Sequence, residues 1–384
     1  MKILFISMPS IHFVRWAKNI RGTGKDLYWF DILNRGYTEE LNFLKQITNW
    51  KKRKIKNVEG EYFLSNRLPK IYNIIQPYIE VTVNEELERI LNIIQPDIVH
   101  SFEMQSCSYP ILEVMNNYPS IKWIYSCWGS DLFYYQNQKK HKHKIKAVLK
   151  RVDSLHTDSF RDYMIAKKIG FKGLHTGVIP GGGGYRLEEL KFFKKPINER
   201  RIILVKGYEH EFGRAINAIK ALDKIIDELN QYELVIFGAH EVVIDFIKKN
   251  NLRFKFYHRN ELDHRELLEL LGSSLIYIGN SISDGIPNTL LEAIIMGAFP
   301  IQSNPGGVTS EIVIDNLNGA LIEDPNHIDL ISDKIFKVLK DKEMLLNAIE
   351  HNIAISKEKL SYKINQNKII ALYQGELTSN LNKK

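Results

Sequence analysis

The chain has 384 residues, 44% of them hydrophobic, with 53 Lys and Arg against 45 Asp and Glu and a formal charge of +8. That balance excludes a disordered or fibrous chain, and the length suits two domains with a core in each. Two cysteines, Cys107 and Cys127, cannot build a disulfide or metal framework, and no apolar run approaches the ~20 residues of a membrane span. The run at residues 3–8 is too short for a signal-peptide core, so a cytoplasmic protein is expected. The positive charge agrees with an anionic partner. No helix-turn-helix, zinc-finger or RNA-recognition signature is present, so nucleic acid is not expected.

Ile3-Leu4-Phe5-Ile6 reads as a buried parallel strand. A helix follows, from Ser10 or Ile11 to about Arg21, with Phe13, Trp16, Ala17 and Ile20 on one face. Leu27-Tyr28-Trp29-Phe30-Asp31 is the second strand, and this strand–helix–strand opening predicts a doubly wound sheet. The turn Pro9-Ser10-Ile11-His12 faces the carboxyl end of that sheet, where such folds bind ligands. It lacks the glycines of a dinucleotide fingerprint, which argues against a nicotinamide oxidoreductase. His12 is either a ligand contact or a plain turn residue.

Lys51, Lys52, Arg53, Lys54 and Lys56 cluster beside Trp50, with Ile71, Ile74 and Ile75 downstream. The cluster reads as a solvated face or as a surface for an anionic ligand or lipid headgroups. Residues 96–102 and 121–127 are further strands, the second running into Trp128-Gly129-Ser130-Asp131. Asp131 is a polar contact for a ligand or a buried capping residue. Residues 139–151 carry seven Lys or Arg and no acid, which predicts a basic helix that is solvated or attracted to an anionic membrane. Four glycines at 181–184 cannot hold regular structure cheaply, so they read as a hinge or a place of close backbone approach. The domain change is expected between there and about Glu199.

The second domain opens with the strand ending Val205-Lys206-Gly207, a loop, and a helix starting near Gly213-Arg214-Ala215. Strand-like runs recur at 234–238, 254–257 and 275–278, with helical patterns between them. Gly279 leads into Ser283-Asp284-Gly285-Ile286-Pro287, and Asn288-Thr289 opens a helix with Leu290, Leu291, Ile294 and Ile295 as its apolar face. A helix N-terminus offers unpaired N–H groups and partial positive charge to a phosphate. Asn288 is read as its N-cap and Pro287 as setting the entry turn. Glu292 lies one turn in, placed to accept from sugar hydroxyls beside a bound phosphate. The next strand, 299–303, leads to a turn with Gly306-Gly307.

The string from Asp284 to Glu292, with Gly306-Gly307-Val308, Glu311-Ile312-Val313 and Asn318-Gly319 after it, resembles the donor-binding signature of the retaining nucleotide-sugar glycosyltransferases of family 4. The resemblance is strong over about residues 200–325. Asp284 stands where that family usually has Glu. Trp128 stands where relatives often have a sugar-touching His, and the phosphate-loop Arg and Lys do not keep their usual spacing.

The resemblance implies the GT-B architecture: two Rossmann-like, doubly wound parallel-sheet domains facing across a cleft. The expected boundaries are 1–185 for the acceptor domain and 196–356 for the donor domain. A C-terminal helix over 357–384 would cross back to the first domain, ending in a loosely held tail at 379–384. It implies hexosyl transfer with retention from a nucleotide-diphosphate sugar, UDP favoured, to a hydroxyl of a glycan or glycolipid. The setting implied is bacterial surface polysaccharide, lipopolysaccharide or glycoconjugate synthesis. Catalytic candidates are Asp284, Glu292, Lys206 and Arg214. Donor-binding candidates are Gly285, Pro287, Asn288, Thr289, Gly207, His258 and Arg259, and cleft candidates are His12, His100, Trp128 and Asp131. No cofactor or essential metal is expected. The expected partners are a nucleotide sugar, a glycan or lipid-linked acceptor, and an anionic membrane surface met through residues 139–151 on the inner face of the cell membrane. A nucleotide-sugar 2-epimerase of the same architecture and a non-catalytic carbohydrate-binding relative stand as alternatives.

Overall fold

The computed structural model describes residues 1–374, so the tail at 379–384 lies outside the described residues. The chain divides into two units. One comprises Met1–Thr157, Tyr163–Gly177 and, among the described residues, 370–374; the other comprises Asp158–Asp162 and Val178–Ile369. The division is not a single cut: a five-residue stretch within the expected first domain groups with the second unit.

The N-terminal unit is built on seven strands: β1 (Lys2–Ser7), β2 (Asp26–Asp31), β3 (Lys45–Ile47), β4 (Ile98–Phe102), β5 (Lys122–Ser126), β6 (Ser154–Thr157) and β7 (Leu174–Val178). Their order is β3-β2-β1-β4-β5-β6-β7, with parallel ladders from β3 through to β6. Alternation along β1 splits its side chains between two faces. Leu4 and Ile6 join a core with Phe30, Leu87, Trp123 and Val148. Phe5 packs on the other face against Phe13, Phe102 and Tyr373. Helix α1 (Ile11–Lys18) is shorter than its apolar pattern suggests. It is capped by Ser10, whose hydroxyl accepts from Phe13 N, and it buries Phe13, Val14, Trp16 and Ala17. The region at 40–90 holds α2 (Glu61–Arg67), α3 (Pro69–Ile79) and α4 (Val83–Ile94). The last is closed by a capping box between Thr82 and Glu85.

The C-terminal unit has β8 (Ile202–Lys206), β9 (Glu233–Ala239), β10 (Lys255–His258), β11 (Ser274–Gly279), β12 (Phe299–Ser303) and β13 (Ala320–Ile322). All are parallel, in the order β10-β9-β8-β11-β12-β13. Ile203 and Val205 face one core and Leu204 the other, as period-two alternation in a doubly covered sheet requires. Strand order reverses between β8 and β11, so the carboxyl ends of these two strands are where this topology forms a crevice.

The glycine run serves close approach. Tyr185 N donates to Leu360 O at 2.7 Å, and Tyr362 N donates to Tyr185 O at 2.8 Å. A Cβ on Gly184 would lie 3.0 Å from the Leu360 and Ser361 carbonyls. The Asn365 side chain and these carbonyls fill the space the glycine opens. The Tyr362–Gln374 helix ends in the N-terminal unit. There the hydroxyl of Tyr373 accepts from Trp16 Nε1 at 2.8 Å and lies 2.6 Å from His100 Nδ1.

Candidate functional site

Four strands of the C-terminal sheet deliver polar side chains to one end. β8 ends in Lys206, whose Nζ lies 4.0 Å from Asp284 Oδ2 on the loop after β11 and 4.6 Å from the centre of the Tyr208 ring. β9 ends just before His240, which stacks on Tyr208 at 5.3 Å between ring centres. β10 is followed by Arg259, whose guanidinium lies 5.5 Å from the same ring and 3.3 Å from His240 Nε2. His240 Nδ1 sits 2.9 Å from the Glu209 carbonyl, so that nitrogen carries the proton and Nε2 accepts from Arg259. His210 completes the group, 5.5 Å from the His240 ring. Burial, then the charges of Lys206 and Arg259 and the nearby His240, hold its pKa below the usual histidine value. The cluster is cationic and rich in donors, an environment for an anion.

Gly207 and Gly238 let Tyr208 sit there. A Cβ on Gly207 would lie 2.7 Å from Ala239 Cα, and one on Gly238 would lie 2.9 Å from the Tyr208 ring. Gly207 therefore acts through strand-end packing. The Asp284 loop is braced from behind: Arg161 donates to Asp284 O at 2.8 Å and to Pro305 O at 2.7 Å, and Asp158 Oδ2 accepts from Ile286 N at 3.2 Å. Glu311 accepts from the backbone of Phe160 and Arg161 at 2.6 and 2.8 Å, fixing the 158–162 stretch. Burial drives the Asp158 carboxyl pKa well above the usual range.

The helix after the loop spans Asn288–Met296. Pro287, not Asn288, is its N-cap, and no side chain caps the end. Asn288 is already the first residue of the helix. Its Oδ1 and carbonyl lie 3.3 Å from the Tyr185 hydroxyl. Thr289 Oγ1 meets Tyr277 Oη at 3.0 Å, and Gly285 N donates to Asp284 Oδ1 at 2.9 Å. Glu292 is 2% exposed, with Oε1 2.9 Å from His264 Nε2 at the start of the His264–Ser273 helix.

Two candidates sit elsewhere. Arg214 Nη1 donates to the carbonyls of His210, Glu211 and Gly213 at 3.1, 3.4 and 2.6 Å, so this nitrogen clasps its own loop. His258 lies on the exposed surface, its Nδ1 3.2 Å from Glu241 Oε1, while its neighbour Arg259 joins the cluster.

In the N-terminal unit His12 and Trp128 come together, with ring centres 5.3 Å apart. His100 and Asp131 do not present themselves to a ligand. His100 is wholly buried, between Tyr373 Oη and Ser126 Oγ at 2.7 Å, and burial keeps it neutral. Asp131 takes the capping role: it accepts from Trp128 N, Met104 N and Tyr125 Oη at 3.0, 3.1 and 2.6 Å. Both are interior because β4 and β5 are central strands covered on each side. Tyr208, His210, His240, His264, Arg161 and Asp158 went unmarked in the sequence. The signal at hand was histidines and aromatics immediately after apolar runs, the positions that parallel strands carry to the sheet's carboxyl end.

A family model described as glycosyl transferases group 1 matches residues 187–354, and one described as glycosyl transferase 4-like matches residues 2–159. An uncharacterized glycosyltransferase of Methanocaldococcus jannaschii is 26% identical over 204 residues, 50% of this chain and 50% of that protein. The chain thus matches about half the length of that curated relative. HepE from Anabaena, solved in complex with UDP, superposes with a TM-score of 0.69 at 12% identity, covering 98% of this chain and 100% of that one. Sucrose-phosphate synthase from Thermosynechococcus elongatus gives 0.72 at 15%, with 98% of each chain covered. A glycosyltransferase from Rickettsia africae gives 0.68 at 16%, with 99% of each chain covered. At these identities the likeness is one of fold, the GT-B arrangement of two Rossmann-like domains. With family models matched in both halves and this architecture beneath them, the chain belongs to the group 1 glycosyltransferases.

Proposed function

We propose that the chain is a retaining glycosyltransferase of the family 4 kind, moving a hexosyl group from a UDP-sugar to a hydroxyl of a glycan or glycolipid. The reading rests above all on one arrangement: Lys206 facing Asp284 at the mouth of a helix with no side-chain cap, and buried Glu292 one turn inside. Lys206 and the helix start meet the diphosphate and offset the charge that develops as it leaves. Arg259 and Tyr208 flank the nucleotide, Glu292 holds the ribose, and Asp284 accepts from the donor sugar's hydroxyls. The bond from the anomeric carbon to the diphosphate breaks and a bond to the acceptor oxygen forms on the same face. The acceptor's proton passes to the leaving phosphate. Arg214 is assigned to bracing the phosphate loop. His12 and Trp128 are the acceptor-side candidates. UDP is favoured because HepE, a protein of similar fold, carries UDP and UDP-glucose.

The expected setting is surface-polysaccharide or glycoconjugate synthesis without a cofactor or essential metal. Unchanged turnover in a chelator would support the metal-free reading; loss restored by magnesium would end it. Attachment through the Lys139–Arg151 helix would be purely electrostatic, because Ile145, Val148 and Leu149 are buried. No described helix is long and apolar enough to cross a membrane.

The deciding experiment is thermal stabilisation against a panel of nucleoside diphosphates and their sugars, with Glu292→Ala alongside. A ligand at a hundredfold excess over its Kd stabilises by about 2.7 kcal/mol. A shift with one nucleotide, lost in the variant, names the donor class. No shift with any nucleotide would end the donor-site assignment and favour a non-catalytic carbohydrate binder. Turnover of a nucleotide sugar without any acceptor would favour an epimerase.

A further inference from the structure

The N-terminal unit carries an apolar surface that its own core leaves uncovered. Among the described residues α2 buries none of its side chains and α3 buries Ile79 alone. Tyr62 is 85% exposed, Ile74 70% and Tyr78 74%, with Phe63, Leu68 and Ile71 exposed as well. Ile71, Ile74 and Tyr78 are spaced by three and four residues, so they share one face of α3. A helix face of this kind ordinarily turns inward, and left outward it marks a surface that meets something.

Cations rim it. Residues 51–80 hold seven Lys and Arg against three Glu. Lys51, Arg53 and Lys54 pair with Glu80, Glu61 and Glu85 at 2.9, 2.6 and 2.6 Å. Lys52, Lys56, Arg67 and Lys70 are exposed and have no acidic partner among the described residues. Beside them lies an open hollow of about 440 Å³, lined by Arg53, Lys56, Asn57, Val58, Glu61, Tyr62 and Ser65. The Lys139–Arg151 helix is also basic, but its apolar side chains are spent on the core.

We propose that α2, α3 and the basic stretch before them dock the protein on a bilayer containing anionic lipid. The apolar side chains of α3 enter the boundary between headgroups and acyl chains, and Lys52, Lys56, Arg67 and Lys70 meet the headgroups. Charge selects this occupant over a second copy of the chain, which would set the same cations against one another. Tyr62, Phe63 and Tyr78 suit a bilayer interface as well as a base, but the aliphatic Leu68, Ile71 and Ile74 beside them have no ring to stack, and that stripe favours lipid over nucleic acid. The surface belongs to the N-terminal unit and stands independently of the nucleotide reading.

The test is flotation of the full chain with vesicles of phosphatidylcholine alone and of phosphatidylcholine mixed with phosphatidylglycerol, without nucleotide. Binding to the mixed vesicles is expected. Ile74→Ser with Tyr78→Ser should lower the partition about tenfold or more by removing the inserted area. Lys52→Glu, Lys56→Glu and Lys70→Glu together should lower it ~100-fold, each cation being worth roughly fivefold. Lys142→Glu with Lys146→Glu, on the other basic helix, should change it less than either set. All these residues are exposed, and thermal melts confirm that each variant folds. Failure to bind the mixed vesicles would overturn the proposal, as would binding indifferent to the Ile74 and Tyr78 changes. A self-association in sedimentation that those changes abolish would assign the face to a second copy. Tighter binding to a labelled oligonucleotide than to vesicles would assign it to nucleic acid.

Discussion

The two sheets share the same turn of topology, yet the polar groups at their carboxyl ends meet different fates. In the N-terminal unit they are consumed internally. Asp31, at the end of β2, accepts from the backbone of Arg35 and Gly36. Asp131 caps the turn after β5, and His100 is sealed between Tyr373 and Ser126. Burial lifts the Asp31 and Asp131 carboxyls and lowers His100. In the C-terminal unit Lys206 and Asp284 stay partly exposed and Arg259 is exposed, and the helix end keeps no side-chain cap. A buried polar group is expensive unless paired, so pairing is what a framework does with it. Polar groups held together yet open to solvent remain free to meet a ligand.

The sharpest break of that contrast is Tyr373→Ala. If the N-terminal group is framework, losing this buried ring costs about 3–5 kcal/mol. The orphaned Trp16 and His100 add to the cost, and urea denaturation reads it. Next comes Lys206→Ala. If the C-terminal group is a ligand site, kcat for sugar transfer should fall ~10²–10³-fold with the fold intact, as for other single groups that stabilise a leaving charge. A large stability loss instead would make Lys206 framework too.

A pH experiment probes the N-terminal side further. Glu103, at the end of β4, has positive φ and accepts from Gln105 N and Ser106 N at 2.7 and 2.6 Å. Burial first, and the Asp131 charge second, raise its pKa to about 7. The folded state then binds more protons than the unfolded chain between the ordinary glutamate value and about pH 7. Stability from this group is therefore full at low pH and declines as pH rises through that window, by on the order of 1–3 kcal/mol. Glu103→Gln should flatten that decline in melts run across pH. An unchanged slope would show that the carboxyl titrates normally.

The smallest expected effects separate two arginines. Arg259→Ala should weaken nucleotide binding about tenfold in calorimetry, the loss of one charge-assisted contact. Arg214→Ala should instead cost about 1 kcal/mol of stability through its loop hydrogen bonds, with little change in affinity. Reversed outcomes would move the phosphate contact to Arg214.

The alternation of apolar strands and helices, the two-domain division in outline, and the run from Asp284 to Glu292 were legible in the sequence. Each is local: period-two and helical spacing need only neighbours, and the loop, helix start and Glu292 fall within nine consecutive residues. What reached the site from afar was not legible. Arg161 meets the Asp284 carbonyl across 123 residues, and Tyr185 meets Asn288 across 103. No spacing rule encodes such contacts. Tertiary structure alone decided that Pro287 rather than Asn288 stands at the cap, and that His100 and Asp131 lie inside. The direction in which the isoleucines of α3 face was decided there as well. Sequence fixes which side chains share a face; only the packing of one element on another determines whether that face is covered, and so whether a polar or apolar group becomes framework or site.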